Sequence, residues 1–281
     1  MLNSSLDSLL IRALEEDLGS GDVTTEALIP EEGTSTAVLI AREDLRVAGL
    51  PFAERTFSLV DRSLVFGILK KEGSRVKAGT AVAKIRGRTR SILIAERTAL
   101  NILQRTSGIA TLTSRYVEAV KGTGAEIVDT RKTAPGLRFL DKYGVRAGGG
   151  RNHRFGLHDG LLIKDNHIAA CGGIKAAVSL ARTKAPHLLK IEVEVENMAG
   201  VRSALKAGAD VIMLDNMPPG AMRKAVDYIR NQRPDVLVEA SGSVTLEGVR
   251  EIARTGVDLI SVGALTHSVR AADLSLEFME A

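Results

Sequence analysis

The sequence predicts an α/β protein: a barrel or incomplete barrel of parallel βα units, preceded by a smaller mixed domain. From residue 125 onward, short segments rich in Val, Ile and Leu, each with a polar tip, alternate with helical stretches. That is the pattern of parallel strands covered by helices on both faces. The first 110 residues lack this alternation and join one amphipathic helix to several short apolar segments. At 281 residues the chain is longer than one domain of roughly 150 and suits a barrel with an appendage. A doubly wound open sheet is the alternative, and six strands are found more readily than eight.

Residues 5–18 place Leu6, Leu9, Leu10, Ala13, Leu14 and Leu18 at helical spacing. After the turn-rich stretch 19–22, segments 36–40, 65–69, 81–85 and 91–94 read as strands of a small sheet, with Gly73, Gly79 and Gly87 in its turns. A helix follows over 96–120, and Ser107–Gly108 within it predict a kink or a boundary between two helices. The strands of the second part are AEIVDTRK, LLIKDNH, LLKIEVEVEN, DVIMLDN, DVLVEASG and VDLISVG, with helices expected over 174–182, 198–207, 219–231 and 244–255. No glycine fingerprint of the dinucleotide type opens a unit, so a Rossmann assignment has little support.

Composition narrows the function. Hydrophobic residues make up 44% of the chain, enough for a core, while aromatic residues are only 3%. A single cysteine, Cys171, excludes an internal disulfide and a thiolate metal cluster and points to a reducing compartment. The net charge of +4 comes from 38 basic and 34 acidic residues that are not gathered into tracts, which argues against nucleic acid as partner. No apolar run reaches the 18 residues of a membrane span, and acidic residues stand where a secretory signal would be apolar. The expectation is a cytoplasmic protein without a membrane partner.

In a parallel barrel the C-terminal strand ends surround one cavity. Here they carry Arg131 and Lys132, then Lys164, Asp165 and Asn166, then Glu194, then Asp215 and Asn216, then Ser241 and Gly242, then Gly263. Such a cavity suits a strongly anionic ligand that brings a divalent cation. Arg131 and Lys132 read either as a solvated loop start capped by Asp129 or as a fork and point charge for a carboxylate or phosphate. The glycine-rich segment 146–160, with His153 and Arg154, is either an exposed loop or a site loop facing an anion. Lys164 could be a Schiff-base nucleophile, an anion clamp or a salt-bridged core lysine. Glu194 and Asp215 end consecutive strands, and Mg²⁺ with a polyol ligand would compensate their charge. The turns at 241–243 and 263–268 stand before expected helices, where backbone N–H groups can bind phosphate.

Long and chemically unusual stretches occur in one order along nearly the whole chain. They include EDLGSGDVTTEAL at 16–28, ERTALNILQRTSGIAT at 96–111, DTRKTAPGLR at 129–138, KYGVRAGGGRNHRFGL at 142–157, LIKDNHI at 162–168, EVEVEN at 192–197, IMLDN at 212–216 and EASGS at 239–243. In these stretches the chain resembles the quinolinate phosphoribosyltransferases, also called carboxylating nicotinate-nucleotide pyrophosphorylases. The resemblance implies an N-terminal α+β open-faced sandwich over 1–112, an irregular TIM-like α/β barrel over 113–270, and a C-terminal segment, 271–281, that returns to the first domain. It implies conversion of quinolinate and phosphoribosyl pyrophosphate to nicotinate mononucleotide, pyrophosphate and CO₂ in NAD biosynthesis. Arg131, Lys132 and Arg154 would hold the two carboxylates of quinolinate, with His153 and Arg97 completing the pocket. Lys164 would lie where the two substrates meet and is the residue to watch for an added catalytic role. Glu194 and Asp215 would serve the ribose hydroxyls and Mg²⁺, and Ser241, Gly242 and Gly263 would cradle the 5-phosphate. Arg97 would be lent across a head-to-tail homodimer, alone or within a hexamer. The chain departs from the family at Ser243, where a glycine is common.

Overall fold

The computed structural model describes residues 2–279; Met1, Glu280 and Ala281, at the outer ends of the expected first and last segments, lie outside the described residues. The chain begins with α1 (Leu2–Leu18), α2 (Val23–Leu28), β1 (Thr34–Ala41), β2 (Leu45–Arg46), α3 (Leu50–Val60), β3 (Val65–Ile68), β4 (Arg75–Val76), β5 (Ala81–Arg88) and α4 (Thr89–Ala119). Then come β6 (Glu126–Val128), α5 (Arg138–Ala147), β7 (Leu161–Ile163), α6 (Asp165–Cys171), α7 (Ile174–Lys184), β8 (Ile191–Val195) and α8 (Met198–Ala207). The last elements are β9 (Val211–Asp215), α9 (Pro219–Gln232), β10 (Leu237–Ser241), α10 (Val249–Ala253), β11 (Leu259–Ser261), α11 (Ala264–His267) and β12 (Leu274–Phe278).

Two compact units result, one from residues 1–112, 134–148 and 269–281, the other from 113–133 and 149–268. In the first unit a four-stranded antiparallel sheet has the order β12-β1-β5-β3, so the C-terminal strand occupies an edge beside β1. Burial along β1 and β5 alternates in their central stretches, as in a sheet with one covered face. Ala37, Leu39 and Ala41 of β1 and Val82, Ala83 and Ile85 of β5 join Phe57 of α3 and Ile92, Ala95, Ala99 and Leu103 of α4 in one core.

Three sequence expectations change here. Residues 91–94, expected as a strand, lie inside α4, because Ile92 belongs with Ala95, Ala99 and Leu103 on a helical face. A short apolar run does not by itself declare its period. The helix boundary allowed at Ser107–Gly108 does not occur, since α4 runs through it as one 31-residue helix. Gly108 instead admits a crossing segment, since a Cβ there would stand 2.2 Å from the Arg270 carbonyl oxygen. The Ser107 hydroxyl accepts from Ala48 N–H and donates to Ala48 O, at 3.0 and 3.1 Å. Residues 134–148, expected within the barrel, belong to the first unit. Leu140 of α5 is buried beside Leu10, Phe52 and Ile102, Phe52 makes edge contacts with Phe139 and Tyr143, and Asp141 pairs bidentately with Arg105.

The second unit is the expected run of parallel βα units. Its barrel-like sheet has six strands in the order β6-β11-β10-β9-β8-β7, with every pairing parallel. β6 and β7 are not paired to each other, so the barrel is incomplete. Asn197 caps α8 by accepting from the backbone N–H groups of Ala199 and Gly200, which fixes the turn directly after β8. The helix expected over 244–255 shrinks to Val249–Ala253. Ahead of it the Thr245 hydroxyl accepts from Gly248 N–H at 3.2 Å, a local turn that competes with helix. Among the described residues no helix is long and apolar enough to cross a membrane.

Candidate active site

The C-terminal ends of the six parallel strands surround a cavity of about 520 Å³. Side chains of a strand alternate between faces, so residues two apart share one. Leu162 and Lys164 at β7, Met213 and Asp215 at β9, and Glu239 and Ser241 at β10 all line the cavity, together with Glu194 of β8. Register brings the β9 and β10 tips level, with Asp215 opposite Ser241.

One wall is cationic. Arg131 and Lys132 follow β6 through Asp129, a fully buried carboxylate that accepts from His153 N–H at 2.9 Å and from the Asn152 amide. Asp129 therefore does not cap a solvated loop; it fastens the β6 tip to the glycine-rich loop. Thr266 fixes the next residue by donating its hydroxyl to Lys132 O at 2.8 Å. Arg154 is anchored by donating to Gly160 O at 2.9 Å. Burial and the nearby Arg131 push its pKa down, and the charge of Glu192 opposes them. Lys164 donates to Glu194 Oε2 at 2.9 Å, and its side chain is 46% exposed. At that exposure it is not the buried lysine of a Schiff-base site.

The floor is a group the sequence reading missed. His153 Nδ1 accepts from Arg154 N–H at 2.7 Å, which leaves the hydrogen on Nε2. Nε2 lies 3.1 Å from Glu192 Oε2 and 3.6 Å from Glu239 Oε2. Both carboxyl groups are buried, and each leaves an Oε1 without a hydrogen-bond partner. Burial, and then the charge of Glu192, push the Glu239 carboxyl up to about 8. The ring expected to face a ligand anion thus has both nitrogens engaged by protein, and it supports the wall beneath Arg154. The donor atoms of His153, Glu192 and Glu239 lie within 4.8 Å of one another, close enough to hold an ion, but the proton retained by Glu239 answers the same need for compensation.

The remaining expected residues are placed as follows. Glu194 and Asp215 present carboxylates from adjacent strand tips, a hard-oxygen set that suits Mg²⁺ when phosphates and water complete the shell. Ser241, Gly242 and Ser243 form a turn on the cavity lip, but α10 begins only at Val249, so the turn is not a helix N-terminus. Gly263 opens the four-residue α11 and packs against Lys132 and His267. Arg97 is an exposed residue of α4 in the first unit. Glu192 and Glu239 were discoverable from strand period alone, since each stands two residues before a tip residue already chosen, Glu194 and Ser241.

Comparisons with known proteins identify the family. Residues 22–107 match the family model of the quinolinate phosphoribosyl transferase N-terminal domain, and residues 109–277 match that of its C-terminal domain. The probable nicotinate-nucleotide pyrophosphorylase [carboxylating] of Bacillus subtilis is 44% identical over 277 residues, covering 99% of this chain and 94% of that protein. Quinolinate phosphoribosyltransferase [decarboxylating] 2a, mitochondrial, of Nicotiana tabacum is 45% identical over 97% of this chain and 82% of its own. The solved nicotinate-nucleotide pyrophosphorylase of Francisella tularensis superposes with a TM-score of 0.93 at 39% identity, over 99% of this chain and 97% of that one. With both domains matched in order along nearly its whole length, this chain belongs to the quinolinate phosphoribosyl transferase family.

Proposed function

We propose that the protein catalyses decarboxylating phosphoribosyl transfer in NAD biosynthesis, converting quinolinate and phosphoribosyl pyrophosphate to nicotinate mononucleotide, pyrophosphate and CO₂. The observation that carries the reading is the division of a single cavity. Arg131, Lys132, Arg154 and Lys164 offer cations for a dicarboxylate, while Glu194, Asp215 and the Gly242 turn offer partners for a ribose and its phosphate.

Arg131 and Arg154 orient the two carboxylates, with Lys132 adding a point charge. His153 completes the pocket by holding the Arg154 backbone. The pyridine nitrogen then meets C1 of the ribose, and the C1–O bond to pyrophosphate breaks with its electron pair on the leaving oxygen. Mg²⁺ held by Glu194 and Asp215 would neutralise the charge of the departing diphosphate. Positive charge develops on the sugar during this step, and the carboxylates of Glu194 and Asp215 on the same cavity would stabilise it. Lys164, paired with Glu194, is assigned to the place where the two substrates meet. Once glycosylated, the ring nitrogen is cationic, and its charge stabilises the electron pair left on C2 when CO₂ departs; that pair then takes up a proton. Binding the 2-carboxylate too tightly would retard that loss, so the basic wall acts chiefly by orientation.

Arg97, exposed on α4, is assigned to the pocket of a partner copy in a homodimer, which can stand alone or build a hexamer. A cytoplasmic location suits the single cysteine, Cys171. The test is an assay of purified protein with quinolinate, phosphoribosyl pyrophosphate and Mg²⁺, following nicotinate mononucleotide and CO₂ together and using nicotinate as control acceptor. Both products from quinolinate alone are expected; turnover only with nicotinate would overturn the base assignment.

A further inference from the structure

Two residues on the cavity lip hold a backbone conformation that side chains disfavour: Asn216 after β9, at φ 51°, and Ser243 after β10, at φ 45°. Such conformations persist where the surroundings over-determine them. At Asn216 the surroundings are three contacts. Its N–H donates to Ser241 O at 3.0 Å, which carries the β9–β10 ladder past the last registered pair, Asp215 and Ser241. Its side-chain Nδ2 donates to Asp215 Oδ2 at 2.8 Å. The same amide lies flat against Gly242, where a Cβ would stand 2.3 Å from Asn216 Oδ1 and 2.4 Å from Cγ. Gly242 holds φ 92°, a region that favours glycine, and a side chain there would also displace the Asn216 amide.

One amide group thus touches a carboxylate on one side and the turn on the other. A carboxylate with one oxygen engaged by its neighbour has lost rotamer freedom before any ligand arrives, and the turn is pinned in the same act. Ser243 extends that turn into the cavity with its backbone already committed to the left-handed region. The ladder sets the two strand tips level, and Asn216 adds the contact that joins the Asp215 carboxylate to the Gly242 turn.

We propose that Asn216 is a positioning residue that locks the Asp215 carboxylate and the Gly242–Ser243 turn at the one spacing that grips the hydroxyls and the 5-phosphate of a phosphorylated ribose. This rests on the phosphoribosyl transfer proposed above. Asn216 does not touch the bond that breaks; it acts through Asp215 and Gly242.

The experiment compares the wild-type protein with Asn216→Gly and Asn216→Asp. Glycine adopts the left-handed backbone freely and lacks the amide; aspartate keeps the shape but cannot donate to Asp215. Steady-state kinetics vary phosphoribosyl pyrophosphate and quinolinate separately, calorimetric titration measures ribose 5-phosphate binding without turnover, and thermal melts report folding. In both variants the KM for phosphoribosyl pyrophosphate and the Kd for ribose 5-phosphate are expected to rise about tenfold or more, the range of one lost charge-assisted contact. The KM for quinolinate should stay within about twofold, as for a group with no part in base binding. An unchanged KM for phosphoribosyl pyrophosphate in either folded variant overturns the proposal, and so does a parallel rise of both KM values, which marks general loosening. Should Asn216→Gly fail to fold, Asn216→Asp decides alone. A wild-type protein that binds ribose 5-phosphate but does not turn over quinolinate would sink the functional reading and leave the clamp to be judged on the titration.

Discussion

The carboxyl groups of Glu192 and Glu239 meet at one edge of the His153 ring, with Oε2 atoms 3.1 and 3.6 Å from Nε2. Burial, and then the charge of Glu192, push the Glu239 carboxyl up to about 8. A raised folded-state pKa means the native protein holds a proton that the unfolded chain releases near pH 4.5. The associated stability is complete below that value and is lost as pH rises toward 8. Melting temperature is therefore expected to decline from about pH 5 to pH 8 in the wild type. Glu239→Gln, which mimics the protonated carboxyl, should flatten that decline; an unaltered slope in the variant would place the proton elsewhere.

Arg154 divides its guanidinium between Gly160 O and the cavity. Lysine cannot keep both engagements, because it offers a point charge and not a planar fork. Arg154→Lys is expected to raise the KM for quinolinate about tenfold or more, with a smaller change in the KM for phosphoribosyl pyrophosphate. Equal changes in both constants would mean that Arg154 is not a base-pocket residue.

Asp141, with a fully buried side chain, accepts two hydrogen bonds from Arg105 and one from Ala134 N–H. Removing one partner of a buried pair strands the other charge, a loss of about 3–5 kcal/mol. Arg105→Ala should reduce unfolding free energy by that order in urea. The double variant Arg105→Ala with Asp141→Leu should recover part of the loss, as an apolar replacement of the whole pair can.

Assignment of Arg97 to a partner's pocket makes a statistical claim. Arg97→Ala and Lys164→Ala homodimers should each be nearly inactive. After random mixing half the dimers are mixed and each has one intact site, so about a quarter of wild-type activity should return. Mixtures no more active than the parents would confine Arg97 to its own subunit.

Much of the barrel and its tips was legible because one rule, polar residues ending apolar strands, identifies Lys164, Glu194, Asp215 and Ser241 from position alone. The rule fails one pleat deeper. Glu192 and Glu239 look like solvated strand residues until the sheet closes over them. It also fails where long-range packing outweighs local pattern. Residues 134–148 follow a barrel strand in sequence, yet Leu140 and Phe139 find their neighbours on Phe52 and Leu10. Ile92 could sit in a strand or a helix, and only the core that receives it decides. The short α10 shows the converse, since the Thr245 turn takes residues that helical periodicity had claimed.

Among the described residues, the strand on the outer side of β1, β12, is the last to follow in chain order. A ribosome delivers β1, β5 and β3 long before β12, so the nascent first unit carries an open sheet edge at β1 through synthesis of the entire barrel. Unpaired edges invite pairing with other chains. Truncation just before Leu274 should therefore appear as aggregation during expression.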